Sequence, residues 1–426
     1  MRQVTLLAVG ALTLAAAAAS AAPLPRIAIE ATSAKAEFIN SATGARFLPK
    51  GFTYTVLDKI PDQAGFAHVT FDPGFYDPDA AESALATMHT HGFNVVRVIL
   101  DSGDAGHENR GQYGIAGPPS AQGLYRPVVD NFVDFLKRAR DNGIYVIAST
   151  YAIPQNRSFK DTFQSGRLAD VDGVNRYYLT PGGIHAKAQY LKEIVHDVRS
   201  AGGTALLTSV LAWEIQVEVF VTNDSQPFSL HSGTVTTADG RSYDMGSARS
   251  RQACMDENIV NWATQVSAAI RAEDPQALTT AGIFTYSAVH KPGPNGLVGS
   301  AGSDPRFPAR VLPLESSHAL SFIDIHAYPK ASPNYTFASD VESLEFGKWD
   351  FGAMPFLLGE FGANRRFFPT LESASSVVRR QQKAALDSGF AGTLFWTWNT
   401  PPVGPNEWWN AVESDQGLLR VLQQPP

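Results

Sequence analysis

Residues 94–150 contain the pattern that decides the fold. The apolar run Asn-Val-Val-Arg-Val-Ile-Leu at residues 94–100 is followed by a helical pattern over residues 125–142 and by a second apolar run, Ile-Tyr-Val-Ile-Ala-Ser-Thr, at residues 144–150. Short apolar runs rich in β-branched residues predict buried strands, and apolar residues at helical spacing predict an amphipathic helix. A strand, a helix and a second strand in this order are typical of parallel βα units.

The same alternation continues along the chain from Leu48 onward. We predict eight strands, at Pro49–Val56, Asn94–Leu100, Ile144–Thr150, Ser209–Glu218, Ala277–Ile283, Phe322–Tyr328, Phe356–Phe361 and Gly392–Trp398. Eight strands with interleaved helices favour a closed (β/α)8 TIM barrel of the α/β class. A doubly wound open sheet is the alternative fold.

Helical patterns occupy most of the gaps between these strands. They cover Asp79–Thr90, Tyr125–Asn142, Ile184–Ser200, Met255–Glu273 and Leu371–Ser388. Asn142-Gly143, Gly202-Gly203 and Gly389 follow helical patterns at the position where glycine commonly ends a helix.

The first residues have the order of a secretory leader. Met1-Arg2 precedes an apolar run from Val4 to Ala19, and small residues lead to Pro23. The run is shorter than the roughly 20 apolar residues of a membrane span. We therefore expect residues 1–21 to be a signal peptide, residues 22–426 to form one barrel domain, and the mature protein to be exported, secreted or periplasmic, without a membrane anchor.

Two further β-patterns lie outside the barrel strands. Ala36–Ile39 and Arg46–Leu48 predict a hairpin that could cover the barrel floor. Thr234–Thr237 and Arg241–Tyr243, about an Asp-Gly turn, predict another hairpin after the fourth strand. Because barrel sites lie at the carboxyl ends of the strands, we expect the whole segment between the fourth strand and the next helix, which contains this hairpin, to wall a substrate cleft.

Composition narrows the function. The sequence is 44% hydrophobic and 18% charged, as in a globular protein with a sizeable core. Its net charge of -7 does not favour binding to nucleic acid or to an anionic membrane, and it is compatible with a neutral substrate. The single cysteine, Cys254, leaves no internal disulfide, so core burial must stabilise the exported protein.

Two strands each end on a glutamate. The fourth strand ends Trp-Glu-Ile-Gln-Val-Glu at Glu218, and the seventh contains Leu-Leu-Gly-Glu-Phe-Gly around Glu360. Closure of a barrel brings such carboxylates together, and cleavage of a glycosidic bond needs one carboxylate as nucleophile and another as acid/base. For one glutamate alone, a salt bridge or a solvated strand end is the simpler interpretation. Glu214 competes with Glu218 for the acid role, but it lies one layer deeper and is better placed to orient Arg97.

These residues make the chain resemble the retaining glycoside hydrolase clan typified by family 5 cellulases and β-mannanases. The family's strand-four Trp-x-x-x-Asn-Glu motif maps onto Trp213 through Glu218, which places Trp213 among the substrate-binding residues and makes Glu218 the acid/base. Its Gly-Glu-Phe-Gly segment makes Glu360 the nucleophile of a double displacement. The family's asparagine before the acid/base is Val217 here, and the loss of its contact with the substrate 2-hydroxyl puts activity in question.

The resemblance assigns further residues to substrate binding. Arg97 matches an arginine that hydrogen-bonds the nucleophile, and His326 and Tyr328 match a His-x-Tyr pattern that lines the subsite and steadies the nucleophile. Trp396 matches the aromatic platform beneath the sugar, while Trp398 should face the helices. An arginine paired inside the barrel and a hydrogen-bonded core histidine are the structural alternatives for Arg97 and His326.

The resemblance implies hydrolysis of β-mannan or β-glucan chains, endo or exo, with an oligosaccharide or polysaccharide substrate and no cofactor or metal. Trp408 and Trp409 either extend the cleft or only pack. One rival is a carbohydrate-binding barrel that has lost turnover, for which Val217 is the reason. A metal-dependent hydrolase is another, because His89 and His91 have metal-binding spacing, although they precede the second strand at the barrel floor.

Overall fold

A computed structural model describes residues 22–33, 35–59, 66–101, 114–151, 153–154, 156–299, 304–332, 334–400 and 407–424. The predicted signal peptide, residues 1–21, lies outside the described residues. The β-strands in chain order are β1 Ile27–Ala31, β2 Ala36–Asn40, β3 Lys50–Thr53, β4 Leu57–Lys59, β5 Phe66–His68, β6 Val95–Ile99, β7 Tyr145–Ser149, β8 Val210–Glu214, β9 Phe220–Thr222, β10 Thr234–Thr236, β11 Ser242–Asp244, β12 Thr279–Thr280, β13 Gly282–Phe284, β14 Arg306–Pro308, β15 Ile323–His326, β16 Phe356–Phe361 and β17 Thr393–Phe395.

The main sheet is a closed parallel barrel. Its strand order is β12-β8-β7-β6-β3-β17-β16-β15-β13, and all its neighbours pair in parallel. Only Ala281 separates β12 from β13, so the two ends of this order are parts of one strand and the sheet closes on itself. The predicted (β/α)8 barrel is confirmed, and the open-sheet alternative is wrong.

Alternation along the strands separates the barrel interior from the helix layer. On β6, Val96 and Val98 belong to the large apolar core beneath the helices, whereas Val95 and Ile99 belong to two separate inner clusters. Arg97 lies between these inner clusters and is 0% exposed. Because successive side chains point to opposite faces, the pattern places one charged layer inside the barrel, just below its carboxyl end.

The α-helices surround the barrel. They are α1 Pro78–Thr90, α2 Arg126–Asp141, α3 Arg157–Ser165, α4 Arg176–Leu179, α5 Pro181–Leu207, α6 Ala248–Glu273, α7 Val311–Ser317, α8 Phe337–Glu342, α9 Leu371–Asp387 and α10 Glu413–Gln423. Side-chain caps define several starts; for example, Asp77 accepts from the amide groups of Asp79 and Ala80 in the first turn of α1.

The helices differ from the predicted ones mainly in the short elements. The patterns did not reveal α3, α4, α7, α8 or α10, because short helices carry little periodicity. The helix predicted to end at the Gly202-Gly203 pair does break there: Gly203 has φ 60° and ψ -158°, and the residues up to Leu207 form a separate helical segment beyond the break. Gly389, with φ 99°, follows α9 as predicted.

A hairpin closes the barrel floor, but its pairing differs from the predicted one. β2 pairs with β1, while the predicted second strand contributes only a single bridge between Ile39 and Arg46. Phe38 is 0% exposed, and its ring lies 5.1 Å from that of Phe322 in the inner cluster that also contains Val95. The predicted floor position is therefore confirmed.

The insertion after β8 has two parts with different positions. The predicted hairpin forms as β10 and β11 and packs on α6, where Asn258 donates to the Thr237 hydroxyl at 2.8 Å. The segment next to Glu218 is instead β9, which pairs with β14. The part of the insertion that lies beside Glu218 is therefore β9, paired with β14, whereas the hairpin lies on α6. Among the described residues, no helix has the length and apolarity to cross a membrane.

Candidate active site

The two predicted catalytic carboxylates meet at the carboxyl end of the barrel. Glu360 lies within β16, and Glu218 lies in the segment between β8 and β9. That segment continues the barrel beyond the regular strand, because Val217 donates to Thr150 and Val219 donates to Gly282, each at 2.9 Å. An oxygen of Glu218 and an oxygen of Glu360 lie within 4.8 Å of each other. The structure thus brings the two predicted glutamates together across the barrel.

Arg97 binds two carboxylates at once. Its Nη1 donates to Glu360 Oε1 at 2.5 Å, and its Nε and Nη2 donate to the two oxygens of Glu214 at 2.6 and 3.0 Å. Ser149 also donates to Glu214. Glu214 is 0% exposed and orients Arg97, as expected, so it is not placed to act as the acid.

Tyr328 and His326 complete the polar contacts around the carboxylates. The Tyr328 hydroxyl donates to Glu360 Oε2 at 2.7 Å. His326 Nδ1 lies 3.1 Å from Glu218 Oε1 and 3.5 Å from Glu360 Oε2. Burial opposes a charged His326, but the charge of Glu360 and the hydrogen bond with Glu218 outweigh it and raise the pKa of His326 to about 9. His326 Nδ1 therefore lies between the carboxyl groups of Glu218 and Glu360.

Asp324 lies behind His326 in the charged layer. Its Oδ2 is 3.9 Å from His326 Nε2, and its side chain is 0% exposed. Burial raises the pKa of Asp324 to about 8, against the opposing charge of His326. A Cβ atom on Gly359 would lie 1.9 Å from Asp324 Oδ1, so this carboxyl group requires a glycine beside it. The sequence carried no motif that pointed to Asp324.

Among the described residues, two overlapping groups of side chains have the spacing of metal ligands. Glu214, Asp324 and His326 form one, and Glu218, His326 and Glu360 form the other. The hydrogen bonds from Arg97 already use both oxygens of Glu214 and one of Glu360, so a metal ion would compete with an arginine for these carboxylates. The histidines that suggested a metal site lie elsewhere, at the end of α1: His89 is in its last turn and His91 caps it.

Aromatic side chains cover the carboxylates. Trp396 is 8% exposed and packs in a small upper cluster with Ile99 and Val217, bordered by Tyr151 and Trp408. As expected, it faces the barrel opening, whereas Trp398 packs under the helices in the large core. Trp408 meets the Tyr328 ring at 4.5 Å and therefore belongs to the site, while Trp409 donates from its indole to Phe368 O and only packs.

Trp213 occupies a different position from the predicted one. It precedes the inward-facing Glu214 on β8 and so points to the helix layer, where it is 1% exposed in the large core. It cannot contact a substrate from this position. The motif match located the strand correctly, but the alternation of side chains puts this tryptophan on the outer face.

Two further aromatic residues, His68 and Tyr151, border the site. His68 lies on β5, and its Nδ1 forms a 2.9 Å hydrogen bond with the Thr55 hydroxyl. Its ring centre lies 6.2 Å from that of Trp396. No motif pointed to it. Tyr151 follows β7, and its ring lies 5.6 Å from that of His68.

No protein-family model matches the chain, and no curated protein matches it. Several solved structures match it in fold. An exo-β-1,4-mannosidase from Opitutaceae bacterium strain TAV5 is 19% identical with a TM-score of 0.55, over 91% of this chain but only 60% of its own length. An endo-1,4-β-D-mannanase from Thermotoga petrophila RKU-1 is 15% identical with a TM-score of 0.57, over 88% of this chain and 98% of its own.

A glycoside hydrolase family 5 mannosidase from Rhizomucor miehei is 12% identical with a TM-score of 0.57, over 94% of this chain and 96% of its own. Likeness at such low identity is a likeness of fold. The chain therefore has the barrel fold of the family 5-like glycoside hydrolases.

Proposed function

We propose that this protein is a retaining β-glycoside hydrolase with Glu360 as nucleophile and Glu218 as acid/base. The observation that carries the proposal is the approach of their carboxylate oxygens to within 4.8 Å. Retaining enzymes hold the two carboxyl groups about 5–5.5 Å apart, whereas inverting enzymes leave about 6.5–9.5 Å for a water molecule. The short approach supports direct attack by a carboxylate.

The hydrogen-bond donors support this division of roles. Glu360 accepts a hydrogen bond from Arg97 on one oxygen and from Tyr328 on the other, and these two bonds fix the direction of its carboxylate. Glu218 is 24% exposed at its side chain and has His326 as its neighbour. Glu360 is therefore suited to attack, and Glu218, facing the opening, is suited to exchange protons with a leaving group and with water.

The reaction takes two steps. Glu360 attacks the anomeric carbon while the glycosidic bond breaks and the leaving oxygen takes the proton of Glu218. Glu218, now ionised, accepts a proton from a water molecule whose oxygen attacks the same carbon and releases Glu360. Arg97 and Tyr328 hold the Glu360 oxygens in place throughout, so little reorganisation accompanies the change of charge.

For the substrate we propose a β-linked mannan or glucan chain. The fold neighbours are named as mannanases and mannosidases, and an uncharged glycan agrees with the net charge of -7. The exposed side of Trp396 and the Trp408 ring supply apolar surfaces for sugar rings. We further propose export, from the leader-like residues 1–21; N-terminal sequencing of the mature protein would test it.

One observation favours a second candidate, a carbohydrate-binding barrel with impaired turnover. Val217 is 2% exposed and packs against Ile99 and Trp396, so the position next to the acid/base presents a methyl surface and no hydrogen-bonding group. An enzyme that lacks a hydrogen bond to the sugar at this point loses transition-state stabilisation. Binding without cleavage would then be the outcome.

The deciding experiment measures sugar release from β-mannan, β-glucan, xylan and aryl β-glycosides by the unaltered protein and by Glu360→Gln. Gln preserves the shape of the side chain beside Arg97, so the variant should fold and lose turnover. Glu372→Gln, an exposed change on α9, is the matched control and should keep full activity. Silence of the unaltered protein across the panel, with retained sugar binding, would reject hydrolysis and select the second candidate.

A further inference from the structure

A buried aspartate holds the backbone of Tyr151 where the chain leaves the barrel. Asp101 follows β6, and both of its carboxylate oxygens accept the amide proton of Tyr151, at 2.9 and 2.8 Å. Tyr190 on α5 adds a hydroxyl donor to the same carboxylate at 3.3 Å. Tyr151 lies just beyond the end of β7, where strand pairing no longer provides an acceptor for its backbone amide. The Asp101 carboxylate takes the place of that acceptor.

A buried lysine binds the other side of the same residue. Lys187 on α5 donates from Nζ to the carbonyl oxygen of Tyr151 at 2.7 Å. Both backbone groups of Tyr151 are thus bound by charged side chains, one from the β6 end and one from a helix. Two such contacts define the orientation of the peptide planes on each side of this residue, and hence the direction of its side chain.

The two charges are fully enclosed. Asp101 is 7% exposed and Lys187 is 1% exposed. Burial raises the pKa of Asp101 to about 6 and lowers the pKa of Lys187 to about 7, and the opposite charge of each partner works against the other's shift. Burying two ionisable side chains is costly unless each is hydrogen-bonded, so their placement on the two backbone groups of one residue points to a positional requirement.

The side chain held in this way faces the reacting groups. Burial, together with the charges of Glu218 and Glu360, raises the pKa of the Tyr151 hydroxyl well above its ordinary value, so the hydroxyl remains protonated and can donate to a sugar oxygen. The ring borders the upper cluster of Ile99, Val217 and Trp396. Tyr151 therefore forms a wall of the same opening that exposes Glu218.

We propose that Tyr151 contacts the substrate and that Asp101 and Lys187 are positioning residues that act through it. The inference rests on the proposed glycosidase function for its kinetic part. Its structural part, that the buried pair determines where the Tyr151 ring lies, stands on the hydrogen bonds alone.

The test compares Lys187→Met with Lys192→Met. Both positions are on α5, but Lys192 has a 53% exposed side chain and serves as the matched control. A single substitution leaves one buried charge uncompensated and can destabilise the protein. The double variant Asp101→Asn/Lys187→Met removes both charges and is therefore the variant expected to fold. Each change is also made in a Tyr151→Ala background, with kcat and KM measured on an aryl β-glycoside and thermal unfolding measured separately.

Lys187→Met should lower kcat/KM about tenfold when Tyr151 is present and less than about twofold in the Tyr151→Ala background, because residues that act through one another do not contribute additively. Equal losses in the two backgrounds would overturn the proposal, since they would show a general structural defect.

Crystal structures provide the second measurement. The Tyr151 ring should move by about 1 Å or more in the Lys187→Met or double variant and stay in place in Lys192→Met, a displacement large enough to affect catalysis. An unmoved ring overturns the proposal. If the unaltered protein hydrolyses no glycoside, the proposed function fails, while the position of the ring still decides whether the pair holds Tyr151.

Discussion

Arg97 and Glu360 form the ion pair on which the site is built: Nη1 of the arginine lies 2.5 Å from Oε1 of the glutamate, and both side chains are nearly excluded from solvent. The remaining guanidinium donors are bound to Glu214. The Arg97 guanidinium therefore connects the buried Glu214 to Glu360 and holds the Glu360 carboxylate in place. We expect substitutions of Arg97 to reduce activity more than they change the fold.

Arg97→Lys should lower kcat/KM by about 10²-fold, because an ammonium group cannot make the forked contacts to both carboxylates. Arg126→Lys, at a 59% exposed arginine, is the control and should leave kinetics unchanged. Steady-state kinetics on an aryl β-glycoside checks the prediction. Comparable rates for Arg97→Lys and the unaltered protein would mean that Arg97 does not orient the nucleophile.

Tyr328→Phe should lower kcat by roughly 10- to 10²-fold with little change in KM, because the lost hydrogen bond to Glu360 Oε2 acts on the nucleophile rather than on the sugar. Tyr335→Phe removes another hydroxyl, the one that donates to Gln381, and should have no kinetic effect. A rise in KM alone in Tyr328→Phe would reassign the hydroxyl to substrate binding.

Gly359→Ala should destabilise the protein by about 1–3 kcal/mol, because the new methyl group overlaps Asp324 inside the packed barrel. Gly347→Ala is the control, since the nearest atom to a Cβ there is 3.8 Å away. Urea unfolding measures both. If the two variants are equally stable, the contact between Gly359 and Asp324 is not a constraint on the barrel.

The stability that His326 contributes should decline as pH rises. Its pKa in the folded protein is about 9, above the unfolded value of about 6.5, so its contribution is complete below about pH 6.5 and disappears as pH rises through about 9. The free energy of unfolding should therefore exceed that of His326→Gln by on the order of 1–3 kcal/mol at pH 6, and the difference should shrink by pH 9.5. His231→Gln, on the surface, should show no such trend. A constant difference across this range would contradict a protonated His326.

Trp396→Phe and Trp213→Phe should separate substrate binding from packing. Loss of the indole at Trp396 should raise KM several-fold with little loss of stability, consistent with a stacking contribution of about 0.5–1.5 kcal/mol. Trp213→Phe should leave KM unchanged and reduce the free energy of unfolding by about 1–3 kcal/mol. Calorimetry and kinetics on both variants check this, and a raised KM in Trp213→Phe would restore that residue to the binding site.

The sequence by itself determined the closed barrel and most long helices, and it singled out two glutamates that the barrel brings together, because strand and helix periodicities are local and strand order along the chain implies adjacency in a barrel. It also placed Arg97, Tyr328 and Trp396 near the carboxylates. These three assignments came from the resemblance to the family 5 clan, whose motifs give a residue's place on a strand before its neighbours are known.

Only the tertiary structure decided the rest. Trp213 faces the helices because side chains alternate along β8 from Glu214, and the floor hairpin uses Ile27–Ala31 because that segment meets Ala36–Asn40 in register. Asp324, His68 and the buried Asp101 and Lys187 acquire their significance from groups far away in sequence. The burial and the pKa of each of these side chains depend on residues that only the folded barrel brings next to it, so a local sequence pattern cannot reveal them.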